Sequence, residues 1–232
     1  GGAAAVTRVQ TALAAALCLA ATAAVAAHPM SGSNASFVQL TDGPAIAPFL
    51  YLGAKHMVTG YDHLLFLVGV IFFLYRLKDV VLYVSLFTVG DSLTLLAGVL
   101  GGISVNAHVI DTIIGLSVAY KAFENMGGFE RMGVHPDTRA AVLVFGLFHG
   151  LGLATKLQEF SLSPNGLVAN IVSFNLGVEI GQILALGGVL IAFTWWRRQA
   201  GFTRNAFAAN AVLMTGGFIL AGYQAVGYVA AR

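Results

Sequence analysis

Hydrophobic positions in this chain come in long blocks rather than in an alternating rhythm. Six such blocks, at about residues 59–76, 80–100, 108–126, 139–157, 166–194 and 206–229, approach or exceed the roughly 20 apolar residues a bilayer-crossing helix needs. Period-two alternation is missing from them, which argues for helices over a barrel. The first block is short, and it crosses best if residues 45–58 extend it or if it is locally broken. Ahead of it, residues 28–44 form a polar, turn-rich segment with Ser31, Gly32, Asn34, Asp42, Gly43 and Pro44. Residues 45–57 are apolar enough to lie at a membrane interface. Residues 1–27 read as a secretory signal or an uncleaved signal-like helix. They hold one charge, Arg8, an Ala-rich core and small residues at Val25, Ala26 and Ala27. The pattern predicts an all-α, polytopic membrane bundle. A signal-like helix at 1–27 and a periplasmic segment with an interfacial helix at 28–58 precede six transmembrane helices at 59–229.

Composition strengthens this reading. Hydrophobic residues make up 58% of the chain and charged residues 9%, against about 25% charged in soluble domains. A formal charge of +2, from scattered basic residues, gives no nucleic-acid footprint. The single cysteine, Cys18, lies in the signal-like segment, so the rest has no disulfide and no thiolate ligand. With the mature N-terminus outside, the inner loops carry Arg76, Lys78, Arg131, Arg139, Arg197, Arg198 and Arg204. The outer side carries only Lys55, Lys156 and Arg232. This asymmetry satisfies the positive-inside rule and predicts a mature N-terminus on the outer side of the membrane.

Candidate chemistry lies where polar residues interrupt the apolar blocks. An ionisable group in lipid costs at least about 2.5–3.5 kcal/mol, so it is rarely kept without a partner or a task. His56, Asp62 and His63 stand at the mouth of the first block. Asp91 is midway along the second, His149 midway along the fourth and Glu179 midway along the fifth. Asp111 and Glu124, nearer the ends of the third, are weaker candidates. Gly146 and Gly150 flank His149, and Gly177 and Gly181 flank Glu179, as small-xxx-small faces expected to let the fourth and fifth spans touch. Asn175, Glu179 and Gln182 share one helix face. Each residue alone is explained equally well as interhelical glue. Four spans each supplying a histidine or carboxylate near one depth favours a metal path, because imidazole and carboxylate suit borderline divalent metals. His63 precedes Asp91 by 28 positions and His149 precedes Glu179 by 30, which suggests a 3+3 inverted repeat.

These motifs resemble the HupE/UreJ family of bacterial membrane proteins. They are His56…Gly60-Tyr61-Asp62-His63, Phe87-Thr88…Ser92-Leu93-Thr94-Leu95, Gly115-Leu116-Ser117…Glu124-Asn125, Gly146-Leu147-Phe148-His149-Gly150-Leu151-Gly152 and Phe174 through Gln182. The resemblance implies a nickel or cobalt permease with a metal signature on His56, Asp62 and His63. The family usually has histidine at the position of Asp91, so the carboxylate makes this site harder and shifts it from the softer end of the metal scale. The expected function is passage of a divalent transition metal (Ni, Co, Cu or Zn) as cargo, with no prosthetic group and no enzymatic motif such as HExxH or GxSxG. An outer His56/Asp62/His63 site would capture the ion, and an inner Asp91/His149/Glu179 site would pass it on. The alternative is an accessory subunit of a larger membrane metalloenzyme, with other membrane subunits or a second copy as partners.

Overall fold

A computed structural model describes residues 33–159 and 163–231, excepting the side chains of residues 33–35, 61 and 62. The signal-like segment expected at residues 1–27 lies outside the described residues. Nine helices follow one another among them: α1 (Ser33–Leu40), α2 (Ile46–Thr59), α3 (Tyr61–Ile71), α4 (Leu77–Gly101), α5 (Ala107–Asn125), α6 (Gly128–Arg131), α7 (Thr138–Gln158), α8 (Leu167–Arg197) and α9 (Phe202–Ala230). No strand occurs among the described residues. Helix ends follow local chemistry. Asp137 accepts from the backbone N–H groups of Arg139 and Ala140 at the start of α7. Gly102, left-handed at φ 64°, ends α4 while Ile103 N–H reaches back to the Gly98 carbonyl at 2.9 Å.

Four helices, α4, α7, α8 and α9, are long and apolar enough to cross a membrane. Six crossings were expected. The third expected block is present as α5, 19 residues long, but it carries His108, Asp111, Lys121 and Glu124. The first is two short helices, α2 and α3, broken at Gly60. Their 14 and 11 residues give lengths of about 21 and 16 Å at 1.5 Å per residue, each short of a hydrocarbon core about 30 Å thick.

Three close helix pairs build the bundle: α4 with α7, α2 with α8, and α5 with α9. Each is made by glycines that let backbones touch. A Cβ at Gly146 would collide with the Phe87 carbonyl, and one at Gly150 with the Asp91 carbonyl. Gly177 abuts the Leu50 carbonyl, and Gly53 abuts that of Phe174. Gly115 and Gly217 play the same part between α5 and α9. The expectation that Gly146, Gly150, Gly177 and Gly181 would join the fourth and fifth spans is therefore corrected. The α7 glycines receive α4, and the α8 glycines receive α2. A small-residue face licenses close approach without specifying which partner fills it.

Gly150→Ala is expected to destabilise the bundle by about 1–3 kcal/mol, because the added methyl meets backbone that cannot yield. Gly216→Ala, where nothing lies within 4 Å, should change stability by less than about 0.5 kcal/mol. Thermal unfolding of both variants in detergent checks the contrast.

Candidate metal pathway

The break between α2 and α3 starts the site. On one continuous helix His56 and His63 would stand roughly 10 Å apart along the axis. Gly60 instead leaves helical geometry with ψ at 90°, while its N–H closes the last turn of α2 on the His56 carbonyl at 2.7 Å. The two imidazoles now meet edge to face, with centroids 5.5 Å apart.

His149 enters from α7 and extends the run, its ring 4.7 Å from that of His63. It is 0% exposed and packed against Phe66 at 5.4 Å and Phe87 at 4.9 Å. Its Nδ1 lies 2.7 Å from the Phe145 carbonyl oxygen. A carbonyl only accepts, so Nδ1 carries a proton. Metal-binding histidines are commonly oriented in this way by a backbone carbonyl. Asp91, on α4, is 4% exposed. Its Oδ1 is buried without a hydrogen-bond partner among the described residues, and His63 and Glu179 both lie within electrostatic reach of it.

A polar seam joins α4 to α8. Asn175 Nδ2 donates to Ser92 Oγ at 3.0 Å, Ser92 Oγ donates to Glu179 Oε1 at 3.4 Å, and Gln182 Nε2 donates to Thr88 Oγ1 at 2.9 Å. The face shared by Asn175, Glu179 and Gln182 was legible in the sequence. Its counterpart was also written there, since Thr88 and Ser92 are four residues apart on one face of α4.

The expected outer and inner trios are not two separated clusters. His63 touches both His56 and His149, making one run across α2, α3 and α7, with Asp91 within electrostatic reach of His63. Glu179 stands on the α4–α8 seam, bonded to Ser92. The Asp62 side chain lies outside the described residues. Among the described residues, no three His, Cys, Asp or Glu side chains form a set that could hold an ion as they stand.

Asp111 and Glu124 are engaged away from this run. Asp111 pairs with Lys156 at 2.9 Å and accepts from Gln224, whose other amide atom meets His108. Glu124 pairs with Lys121 at 2.9 Å and accepts from Thr138. Sequence reasoning missed Lys121, buried beside Glu124, and Asn210, which is fully buried and accepts from Asn125 at 2.9 Å. The i, i+3 spacing of Lys121 and Glu124 was the available signal for the first. Asn210 stands alone in an apolar stretch and gave none.

Four helices long and apolar enough to cross a membrane mark this chain as a membrane protein, and three imidazoles stand in one buried run among its helices. The HupE / UreJ protein family matches residues 33–232, and the chain belongs to that family. Membership points to nickel- or cobalt-related transport or metalloenzyme maturation. No curated protein and no solved structure matches the chain.

Asp91→Asn keeps the shape of the side chain and removes its buried charge. Without transition metal, and with choline as the only added cation, it is expected to raise stability by about 1 kcal/mol or more. Thermal unfolding reads the sign directly. A fall would mean that the carboxylate is a structural strut.

Proposed function

We propose that this protein is a permease for a divalent transition-metal cation, nickel or cobalt in the first instance. The observation that carries this reading is the run of imidazoles from His56 through His63 to His149, with Asp91 acting on His63. Three histidines from three helices offer successive imidazole nitrogens to a borderline cation. Their rings are close enough for small rotations to pass an ion from one to the next. Asp91 supplies negative charge that offsets part of the cost of holding a dication in lipid.

In this reading the α2–α3 pair acts as one broken crossing, and α5 completes a set of six with α4, α7, α8 and α9. The basic residues then orient the N-terminal side to the periplasm of a bacterial inner membrane. The packing supports an inverted repeat of two three-span halves. Exchanging the halves turns the α4–α7 pair into the α8–α2 pair and returns the α5–α9 pair to itself. Such repeats place substrate near the bilayer midplane, where discontinuous helices meet. The sequence has no phosphate-binding loop of the Gly-x4-Gly-Lys-Ser/Thr type. Inward movement of a +2 ion down the membrane potential releases about 4.6 kcal/mol per 100 mV, enough to drive uptake.

The test is uptake of Ni²⁺ or Co²⁺ by sealed vesicles that contain only this protein and an internal metal-sensitive dye. Uptake above that of empty vesicles is expected, and His63→Ala and His149→Ala should each lower it roughly 10–100-fold. Acidification should also slow it, because protons and metal compete for neutral imidazole. The loss should be marked below about pH 6. Folded protein in tight vesicles that passes no metal would overturn the permease reading. Co-purification with other membrane subunits in fixed ratio would then favour the accessory-subunit role.

A further inference from the structure

The seam between α4 and α8 holds more buried oxygen acceptors than its donors satisfy. Ser92 has one hydroxyl hydrogen, and it goes to Glu179 Oε1. Its lone pairs must therefore receive from Asn175, which fixes the Asn175 amide with nitrogen toward Ser92 and Oδ1 turned elsewhere. That Oδ1 is buried with no hydrogen-bond partner, in a residue 8% exposed. Asp91, the residue before Ser92, leaves its own Oδ1 in the same condition while 4% exposed. Thr94 gives its hydroxyl hydrogen to the Leu147 carbonyl at 2.7 Å, and Gln182 gives one amide hydrogen to Thr88. A buried polar group without a partner costs about 1–3 kcal/mol, and this seam carries two such oxygens beside the carboxylate of Glu179.

We infer that Asp91, Ser92, Asn175 and Glu179 form a second cation site, distinct from the imidazole run, that takes a hard monovalent ion of the Na⁺ type. All its donors are oxygens (carboxylate, amide carbonyl and hydroxyl), and such sets select hard cations over nickel or cobalt. Ligand number narrows the choice. Four side chains, two of them the carboxylates of Asp91 and Glu179, offer few oxygens. Mg²⁺ by contrast keeps several waters of its own, and Ca²⁺ takes six to eight oxygen ligands. Asp91 stands between the two sites, with His63 on one side and Glu179 on the other. In a carrier, an ion bound here would set the negative charge that the cargo meets.

The experiment measures binding, with no transport step. Purified protein in detergent, with EDTA and a choline chloride background, is titrated with ²²Na⁺. Saturable binding that unlabelled Na⁺ displaces, and added choline does not, is the expected result. Asn175→Leu removes the amide oxygen at similar volume and should weaken binding roughly tenfold or more. Asn175→Asp restores an oxygen at the same place and should bind at least as tightly as the parent. Absence of saturable binding in the parent protein would overturn the site. So would undiminished binding by Asn175→Leu that elutes as a single folded species. If Asn175→Leu does not fold, Asn175→Asp decides, since loss of binding in that variant also refutes the assignment. Ni²⁺ titration of the parent protein and of the Asn175 variants without Na⁺ reads the imidazole run, to which Asn175 does not belong, so failure of either site is seen separately.

Discussion

A helix interrupted inside a packed bundle must find new partners for the backbone groups it releases, and that constraint governs this structure. A buried backbone group left unpaired costs about as much as a lost hydrogen bond. The break at Gly60 brings His56 and His63 together, and the short α3 it creates ends at Ile71 in a single turn, in which Leu74 N–H meets the Ile71 carbonyl at 3.0 Å. Two other helices supply the donors. Arg197, at the end of α8, gives its guanidinium to the carbonyls of Ile71, Phe72 and Leu74 at 2.7–2.9 Å and lies over the Tyr75 ring. Asn125, at the end of α5, donates to the Gly69 carbonyl at 2.8 Å. The planar fork of arginine suits this cluster of acceptors in a way that a lysine ammonium does not. The broken helix thus depends on α5 and α8 as much as on its own sequence.

Around this centre the polar residues separate into two kinds. Those of α5 are closed into networks: Asp111 with Lys156 and Gln224, Glu124 with Lys121 and Thr138, Asn125 with Asn210. Each buried charge there has an opposite charge in contact, the arrangement that holds helices together in lipid. On α3, α4 and α7 the chemistry differs. Imidazoles face one another, Asp91 keeps one oxygen without a donor, and the α4–α8 seam has an excess of acceptors. The first kind fixes the scaffold, and the second is the kind we assign to cations.

Glycine placement connects scaffold and site. Gly146 and Gly150 bring α7 so close to α4 that His149 and Asp91 share one neighbourhood. Gly53 and Gly177 hold α2 against α8, so that His56 packs on Phe174 at 6.1 Å. Removing these close approaches would separate the ligands before it unfolded any single helix. This links the stability of the bundle to the geometry of the path.

The sequence by itself determined the all-helical membrane class, the limits of α4, α7, α8 and α9 to within four residues, and the residues that interrupt apolar stretches. These follow from local quantities: hydropathy summed over about 20 residues, turn chemistry, and the cost of an ionisable group in hydrocarbon. Only the tertiary structure decided which glycine face met which helix, and hence that His63 lies between His56 and His149. It also decided that Asp111 and Glu124 were engaged elsewhere and that Ser92 looked toward Glu179. Small-residue faces on α2, α4, α7 and α8 are interchangeable as sequence, because a missing Cβ permits contact without naming a partner. The choice is made by the sum of all contacts in the bundle, and no window of the chain contains that sum.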